Sequence, residues 1–323
     1  MLVEKNQIKL RVVFMGTSDL SEKILESLIS NNYNIVGVFT KVDKKIGRKQ
    51  ELTSPAVKLL AEKHSISVFQ PQTFKNPESV RQLKDLKPDL IVVAAYGKIL
   101  PKSVLSIPGF GCINVHVSLL PKYRGPSPVQ NALLCGEVET GTTIMLMDEG
   151  VDTGDILVQK KIKILATDTT ESLMSKLADQ GAQLLLETLP PWIKRTIQPI
   201  KQDSSQASLC QLIEREDGRI LWIEDATSIY NKYRALTPWP GVFTYWKSDS
   251  STVRLKLISI KLQKKNPLQI RSVGEVFEIG SDIAIQTSEG LILIEQLQKE
   301  GKKATDIASF INGHPKFIGS ILF

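Results

Sequence analysis

The segment that decides the fold of this chain is CINVH at residues 112–116, followed by VSLLPKYRG at 117–125 and MDEGVDTGD at 147–155. The first run is mostly apolar and predicts a buried strand. Residues two apart on a strand point to the same face, so Asn114 and His116 present an amide and an imidazole to one point. Asp152, in a glycine-flanked turn, is expected beside the imidazole. These three groups predict an acyl-transfer site that stabilises charge on an oxygen without a covalent nucleophile.

Strands and helices alternate on both sides of this segment. Apolar runs predict strands at residues 10–16, 34–40, 65–69, 89–95, 112–115, 142–147 and 156–164. Helical spacing predicts helices at residues 19–30, from about 55, at 127–135 and at 170–193. The alternation indicates an α/β fold with a doubly wound, mostly parallel sheet, a Rossmann-like catalytic domain over residues 1–200. The turn after the first strand, Gly16-Thr17-Ser18, lacks the glycine fingerprint of dinucleotide binders, so NAD binding is not supported.

The pattern changes after residue 200. Residues 201–208, KQDSSQAS, are polar and aperiodic, and we interpret them as a linker. Beyond residue 245, short alternating strands are predicted at 253–260, 274–279, 283–287 and 290–297. They predict a smaller β-barrel domain over residues 209–323.

The composition limits the class of protein. The 323 residues suffice for two domains, and 42% hydrophobic with 23% charged residues is typical of a soluble globular protein. No apolar run approaches the roughly 20 residues that span a bilayer, and residues 1–9 are too short for a signal peptide. Three widely spaced cysteines (Cys112, Cys135 and Cys210) suggest neither disulfides nor a zinc site. We therefore expect a protein of a reducing cytoplasm that needs no metal and does not bind a membrane; a bacterial cytoplasm and an organelle are both open at this point.

Positive charge is concentrated in two segments. The formal net charge is +7; residues 41–49 carry five basic residues and one acid, and residues 230–271 carry nine and one. The second segment also contains six aromatic residues (Tyr230, Tyr233, Trp239, Phe243, Tyr245 and Trp246). Basic side chains among aromatics favour a polyanionic partner, because each phosphate contact releases condensed counterions. The alternative is an ordinary solvated lysine-rich surface.

The three central motifs, in this order and spacing, resemble the signatures of enzymes that use 10-formyltetrahydrofolate. Further matching segments are FMGT at residues 14–17, VFT at 38–40, GR at 47–48, SPAVK at 54–58, VAAYGKILP at 93–101, RA at 234–235 and PWPGVF at 238–243. The resemblance covers roughly residues 10–320. Within the family the chain is most similar to the members that formylate methionyl-initiator tRNA.

The resemblance implies a role for several residues. Asn114, His116 and Asp152 would be catalytic, with an amine supplied by the substrate attacking the formyl group. The folate co-substrate would contact Tyr96, Gly97, Ile99, Leu100, Ser118, Leu119, Leu120 and Pro121. Arg48 and Lys49 would contact the acceptor end of the tRNA, and an OB-like C-terminal barrel would hold it. A monomer is expected. Val117 stands where the family usually has Gly.

Two alternatives remain open at this point. A sugar-nucleotide formyltransferase would share the catalytic groups, but a small substrate would not need the Gly47-Arg48 loop or the basic segment. A non-catalytic folate- or RNA-binding protein would not need Asn114, His116 and Asp152 together.

Overall fold

The computed structural model of the chain describes residues 10–46, 50–248, 251–264 and 271–323. Its contacts divide the chain into two compact units. The first unit comprises Met1–Pro128, Glu139–Ile164 and Leu173–Gln211, and the second comprises Val129–Val138, Leu165–Ser172 and Leu212–Phe323. Each unit is thus built from separated pieces of chain. The linear boundaries and the linker at 201–208 stay predictions.

The first unit contains a seven-stranded sheet. In chain order the strands of this unit are β1 (Arg11–Gly16), β2 (Asn34–Phe39), β3 (Lys44–Ile46), β4 (Glu51–Thr53), β5 (Val68–Phe69), β6 (Leu90–Ala94), β7 (Cys112–His116), β8 (Glu139–Leu146) and β9 (Ile156–Lys163). Strands β3 and β4 form a separate two-stranded sheet. The sheet order is β5-β2-β1-β6-β7-β8-β9. Neighbours from β5 to β7 are parallel, and β8 and β9 are antiparallel additions. The predicted mostly parallel α/β fold is confirmed.

Helices lie between these strands along the chain, and the last helix of this part follows β9. They are α1 (Asp19–Ser30), α2 (Ala56–Lys63), α3 (Pro77–Asp85), α4 (Lys102–Leu105), α5 (Pro128–Leu134) and α6 (Thr170–Ile193). Helix α1 buries Leu20, Ile24, Leu25 and Leu28, which lie on one face at helical spacing. Helix α3 was not predicted because its apolar face is narrow. Its start is fixed locally, since Asn76 Oδ1 accepts the Glu78 N–H at 3.0 Å and Pro77 occupies the first turn.

The centre of the sheet positions the candidate site. Every residue of β6 and β7 is buried, as expected for parallel strands covered on both faces. Strand β7 runs parallel to β6 on one side and antiparallel to β8 on the other, where His116 lies opposite Thr143. Two polar side chains on so buried a strand need partners nearby.

The segment between β2 and α2 differs from the sequence-based prediction. It was expected to be a loop, but β3 and β4 pair as an antiparallel hairpin, with Lys44 opposite Thr53 and Ile46 opposite Glu51. The predicted tRNA contacts Arg48 and Lys49 lie outside the described residues.

The second unit contains an antiparallel sheet. Its elements are α7 (Ala226–Leu236), β10 (Val242–Lys247), β11 (Thr252–Gln263), β12 (Val276–Ile279), β13 (Asp282–Gln286), β14 (Leu291–Lys299), β15 (Ala304–Asp306) and α8 (Ile307–Gly313). The strand order is β10-β11-β14-β13-β12, with β15 beside β14. The predicted smaller β domain is confirmed, and its strands pair antiparallel.

The last residues of the chain close this sheet into a barrel. The backbone groups of Phe323 and Tyr245 exchange hydrogen bonds of 2.8 and 3.0 Å, while the Leu322 N–H donates to the Gly274 carbonyl at 2.9 Å. The C-terminal segment therefore pairs with β10 on one side and with the residues before β12 on the other. Within the part of the chain that the structure covers, no helix has the length and apolarity to cross a bilayer.

Candidate active site

Asn114, His116 and Asp152 come together in the first unit. Asn114 Nδ2 lies 3.4 Å from Asp152 Oδ1, and His116 Nδ1 lies 3.6 Å from Asp152 Oδ2. The Asn114 and His116 side chains are buried, and the Asp152 carboxylate is 16% exposed. One carboxylate thus faces both candidate donors while remaining within reach of solvent.

The contacts to Asp152 differ in strength. Its Oδ2 accepts the Gly125 backbone N–H at 2.8 Å, a full hydrogen bond. The contacts to Asn114 and His116 are longer and weaker. The carboxylate is therefore anchored by the backbone of the 117–125 loop, and the amide and imidazole can exchange their contacts for a substrate oxygen. Catalytic hydrogen bonds are often long before substrate binds.

The orientation of the His116 ring follows from its second contact. His116 Nε2 lies 3.0 Å from the Tyr123 carbonyl oxygen. A carbonyl oxygen only accepts, so Nε2 carries a hydrogen in this arrangement. The two contacts fix the ring so that Nδ1 faces the Asp152 carboxylate.

Asp152 is held in an unusual backbone conformation. Its φ of +53° lies in the left-handed region, which Asp tolerates better than most residues. Gly125, its backbone partner, has φ +118°, and a Cβ there would collide with the carbonyl oxygen of Cys210. The contact between the two turns therefore depends on a glycine at position 125.

The Ser118–Pro121 segment is fixed from beneath by β8 and β9. Thr143 Oγ1 donates to the Ser118 carbonyl at 2.6 Å and accepts the Leu120 N–H at 3.2 Å. Gln159 Nε2 donates to the Leu120 carbonyl at 2.8 Å and to Thr143 Oγ1 at 2.9 Å. Ser118 and Leu120 are buried, so Leu119 and Pro121 are the members of this segment with partly exposed side chains.

The other predicted folate contacts divide in the same way. The side chains of Tyr96 and Leu100 belong to the core cluster around β6. Gly97 is exposed with φ +66°, and Ile99 is 82% exposed. A ligand at this strand end would meet the backbone around Gly97 and the Ile99 side chain.

Tyr96 carries a polar atom that the described residues leave unsatisfied. Its hydroxyl is buried and has no hydrogen-bond partner among them. Burial raises the pKa of Tyr96, so the phenol stays protonated and remains a donor. An unpartnered buried donor is uncommon in a folded protein, so the Tyr96 hydroxyl is a candidate for contact with a bound polar group.

No cysteine near the site is activated. Burial raises the pKa of Cys112 to about 12. Burial is also the main cause of the raised pKa of Cys210, and the negative charge of Asp152 adds to it. Both thiols stay protonated, as expected for chemistry that uses the substrate's own amine as nucleophile.

A cavity and the possible metal ligands were compared with the positions of the three candidate residues Asn114, His116 and Asp152. A cavity of about 480 Å³ is lined by residues between Val68 and Gln82, and none of the three candidate catalytic residues lines it. Over the described ranges, no three His, Cys, Asp or Glu side chains cluster as metal ligands would.

The basic, aromatic segment at 230–271 lies in the second unit, and much of it has a structural role. Arg234 is buried and donates to the carbonyls of Leu165 and Asp168 at 3.2 and 3.0 Å. Lys232 pairs with Glu224 at 3.0 Å. Phe243 and Trp246 are buried, whereas Trp239 is 60% exposed. Arg254 stacks on the Phe243 ring at 3.6 Å from its centroid. Fewer basic side chains of this segment are therefore available to a polyanion than its sequence suggests.

Sequence reasoning assigned no role to Arg124 or Gln202. Both side chains are buried. Arg124 donates to the Gln202 side chain, and Gln202 donates to the Asp152 carbonyl. Arg124 lies inside the quoted motif. Gln202 lies in the polar segment interpreted as a linker, where no local pattern marks it.

The chain matches two family models. Residues 9–189 match the model described as formyl transferase, and residues 212–315 match its C-terminal domain. Among curated relatives, the methionyl-tRNA formyltransferase of Caldicellulosiruptor saccharolyticus is 44% identical over 314 residues, covering 96% of this chain and 99% of the relative. That of Geobacillus sp. is 44% identical over 306 residues, covering 94% of each.

Solved structures share the fold. An N-formyltransferase from Helicobacter canadensis, in complex with folinic acid and dTDP-3-aminofucose, has a TM-score of 0.66 at 21% identity, covering 90% of this chain and 99% of that one. HypX from Aquifex aeolicus with tetrahydrofolic acid has a TM-score of 0.64 at 17% identity, covering 96% and 48%. By the family models and the full-length relatives, the chain belongs to the formyl transferase family and, within it, to the group of methionyl-tRNA formyltransferases.

Proposed function

We propose that this chain transfers the formyl group of 10-formyltetrahydrofolate to the α-amino group of methionyl-initiator tRNA, giving formyl-methionyl-tRNA for translation initiation. The observation that carries the site assignment is the convergence of Asn114 and His116 on one anchored carboxylate, Asp152. Full-length relatives at 44% identity support the choice of substrate.

Each of the three residues has a distinct task in the proposed reaction. When bound, 10-formyltetrahydrofolate supplies the formyl carbon that the neutral α-amino nitrogen attacks. Asn114 donates an amide N–H to the formyl oxygen as negative charge develops on it. His116, with a proton on Nδ1, places positive charge beside the same oxygen. Asp152 would orient both donors and accept the proton that the amine loses, directly or through water. That proton would then pass to the folate nitrogen as its bond to the formyl carbon breaks and tetrahydrofolate leaves.

The folate would be held at the carboxyl end of β6. Gly97 and Ile99 offer exposed backbone and apolar surface, and the Tyr96 hydroxyl offers a donor. The buried side chains of Leu100, Ser118 and Leu120 would shape the site from behind, while Leu119 and Pro121 border it. Ligands of open α/β sheets usually bind beyond the carboxyl ends of the strands.

The tRNA would be contacted by Arg48 and Lys49, which lie between β3 and β4 in the sequence, and by the second unit through its exposed basic and aromatic side chains. Trp239 is the exposed aromatic of that unit's basic segment and can stack on a base. The protein is proposed to act as a cytoplasmic monomer, which sedimentation of the purified protein would test.

A labelled-formyl transfer assay tests the function. The acceptors are methionyl-initiator tRNA, the same tRNA uncharged, and an amino-sugar nucleotide. We expect label only on the charged tRNA. Transfer to the sugar nucleotide, or none to methionyl-tRNA, would contradict the proposal.

The same assay tests the residues. Asn114→Ala, His116→Ala and Asp152→Ala should each lower kcat by about a hundredfold to a thousandfold, since loss of one oxyanion donor costs about 3 kcal/mol. Folate affinity should hardly change, because these groups act on charge that appears during reaction. His64→Ala is the matched control, as His64 is exposed at the end of α2. Near-normal kcat in the His116 or Asp152 variant would remove that residue from the site.

A further inference from the structure

Gln202 forms a bridge between two turns of the candidate site. Its side-chain Nε2 donates to the Asp152 carbonyl at 2.9 Å and to the Gly154 carbonyl at 2.7 Å. Its Oε1 accepts from Arg124 Nε at 3.0 Å and from a terminal guanidinium nitrogen at 2.8 Å. Gln202 is 7% exposed and so is Arg124. All four hydrogen-bonding positions on this side chain face protein partners.

The orientation of the Gln202 amide is forced by its neighbours. Carbonyl oxygens only accept and a guanidinium only donates. A flipped amide would therefore place its oxygen against the two carbonyl oxygens and its amino group against the guanidinium donors. The flip would also leave a buried charge without an acceptor. The bridge is therefore a directional link from Arg124, through Gln202, to the backbone on both sides of Thr153.

The backbone that Gln202 holds carries Asp152. Asp152 has a left-handed φ of +53°, a conformation that persists where surrounding contacts impose it. At the other end, Arg124 immediately precedes Gly125, whose N–H anchors the Asp152 carboxylate at 2.8 Å. Two further contacts hold this end, because the Arg124 N–H donates to the Ser208 carbonyl at 2.9 Å and the Cys210 N–H donates to the Arg124 carbonyl at 2.8 Å.

We infer that Gln202 and Arg124 are positioning residues that set the Asp152 carboxylate against Asn114 and His116, so that the segment after Ile200 is a functional part of the active site. Neither residue touches the reacting groups in this role. The inference rests on the proposed function only for its kinetic readout.

Two variants of the bridge can distinguish an effect on the position of Asp152 from an effect on the stability of the fold. Gln202→Leu removes both donors to the Asp152 turn and leaves the Arg124 guanidinium buried without its acceptor. It should lower both Tm and kcat. Arg124→Met combined with Gln202→Leu removes the buried charge as well, so Tm should recover while kcat should not. A shift of about 1 Å in a catalytic group can cost a hundredfold, so we expect kcat about tenfold to a hundredfold below wild type in both.

Three measurements on the full-length protein make the test. They are Tm, the kcat and KM values for methionyl-tRNA and 10-formyltetrahydrofolate, and amide hydrogen exchange of residues 148–155 followed by mass spectrometry. We expect kcat to fall with both KM values within about twofold, and exchange to rise in both variants. Gln206→Leu is the matched control, since Gln206 is exposed in the same segment and its side chain donates to Asp203 Oδ2 at 2.8 Å. This variant should match wild type throughout.

The outcomes are distinguishable. If kcat and exchange return to wild-type values together with Tm in the double variant, the bridge only stabilises the fold and the inference is wrong. A rise in KM with kcat unchanged would overturn it equally. If wild type formylates no methionyl-tRNA, the proposed function fails, and exchange of residues 148–155 still decides whether Gln202 holds the Asp152 turn.

Discussion

At the scale of single residues, the backbone conformation of Gly125 affects the candidate catalytic group Asp152, because the Gly125 N–H donates to its carboxylate. Its φ of +118° is strained for any residue with a Cβ, and a Cβ would collide with the Cys210 carbonyl oxygen. Gly125→Ala should cost about 1–3 kcal/mol in the free energy of unfolding, measured by denaturant titration. It should also lower kcat, because the displaced N–H anchors Asp152. Gly109→Ala, with open space around the added methyl, is the control. Equal losses of stability and kcat in the Gly125→Ala and Gly109→Ala variants would mean that the glycine at position 125 has no particular role.

Tyr96 offers a second test at this scale. Its hydroxyl is buried without a partner among the described residues, so Tyr96→Phe removes an unsatisfied donor. We expect the free protein to be unchanged or more stable by about 1 kcal/mol, and folate affinity to fall. Thermal unfolding with and without 5-formyltetrahydrofolate measures both effects. If the ligand raises Tm equally in wild type and variant, the hydroxyl does not contact the folate.

At the scale of elements, the β3–β4 hairpin is fixed at its base by Asp43. The carboxylate accepts from Lys58 Nζ at 2.8 Å, Gln70 Nε2 at 2.8 Å and Ser54 Oγ at 3.0 Å. The hydrogen bond from Lys58, followed by that from Gln70, lowers the pKa of Asp43 to about 2. A lowered folded-state pKa stabilises the fold above the carboxyl's ordinary pKa, and this contribution is lost as pH falls from about 4 to 2.

Asp43→Asn should remove that part of the acid dependence. The difference in Tm between wild type and variant should be full at pH 7 and should shrink below about pH 4, as protonation removes the same charge from wild type. Thermal unfolding from pH 7 to pH 2.5 measures it. A difference in Tm that stays constant across this pH range would show that the charge of Asp43 does not contribute to the stability of the fold.

Arg48, which lies between β3 and β4 in the sequence, tests the proposed tRNA contact. Arg48→Ala should lower kcat/KM for methionyl-tRNA about tenfold to a hundredfold, the value of one good bidentate contact of about 1–3 kcal/mol. Arg48→Lys should recover only part, because an ammonium cannot make a forked contact. Folate binding should be unchanged in both. Equal kcat/KM in all three proteins at one salt concentration would place the tRNA contact elsewhere.

At the scale of the whole molecule, the net charge of +7 predicts how the two substrates respond to salt. Phosphate contacts release counterions, so KM for methionyl-tRNA should rise with salt, whereas KM for the folate should change little. The slope should be modest for a chain with 41 basic residues, since several are paired with acids, including Lys58 with Asp43 and Lys232 with Glu224. Kinetics between about 50 and 200 mM salt would measure both slopes. Equal slopes for the two substrates would argue against a phosphate-contacting surface.

The sequence by itself determined the α/β class, the order of the main strands and the family. Those features are local: apolar periodicity defines β6, β7 and the helix at Thr170–Ile193, and the motif residues Asn114 and His116 lie two apart on one strand. It also indicated the antiparallel strands of the second unit, because each alternates apolar and polar residues over a short run.

Only the tertiary structure decided how these pieces meet. Gln202 lies 50 residues from Asp152 and 78 from Arg124, in a polar segment with no periodicity, so no local pattern relates them. The same holds for the C-terminal residues that close the barrel against β10. The burial of the Tyr96 and Leu100 side chains in the core cluster was likewise not visible in the sequence, because at a strand end the fold decides which face is buried. Periodicity encodes the burial of one element, whereas contacts between distant segments arise only when the whole chain packs.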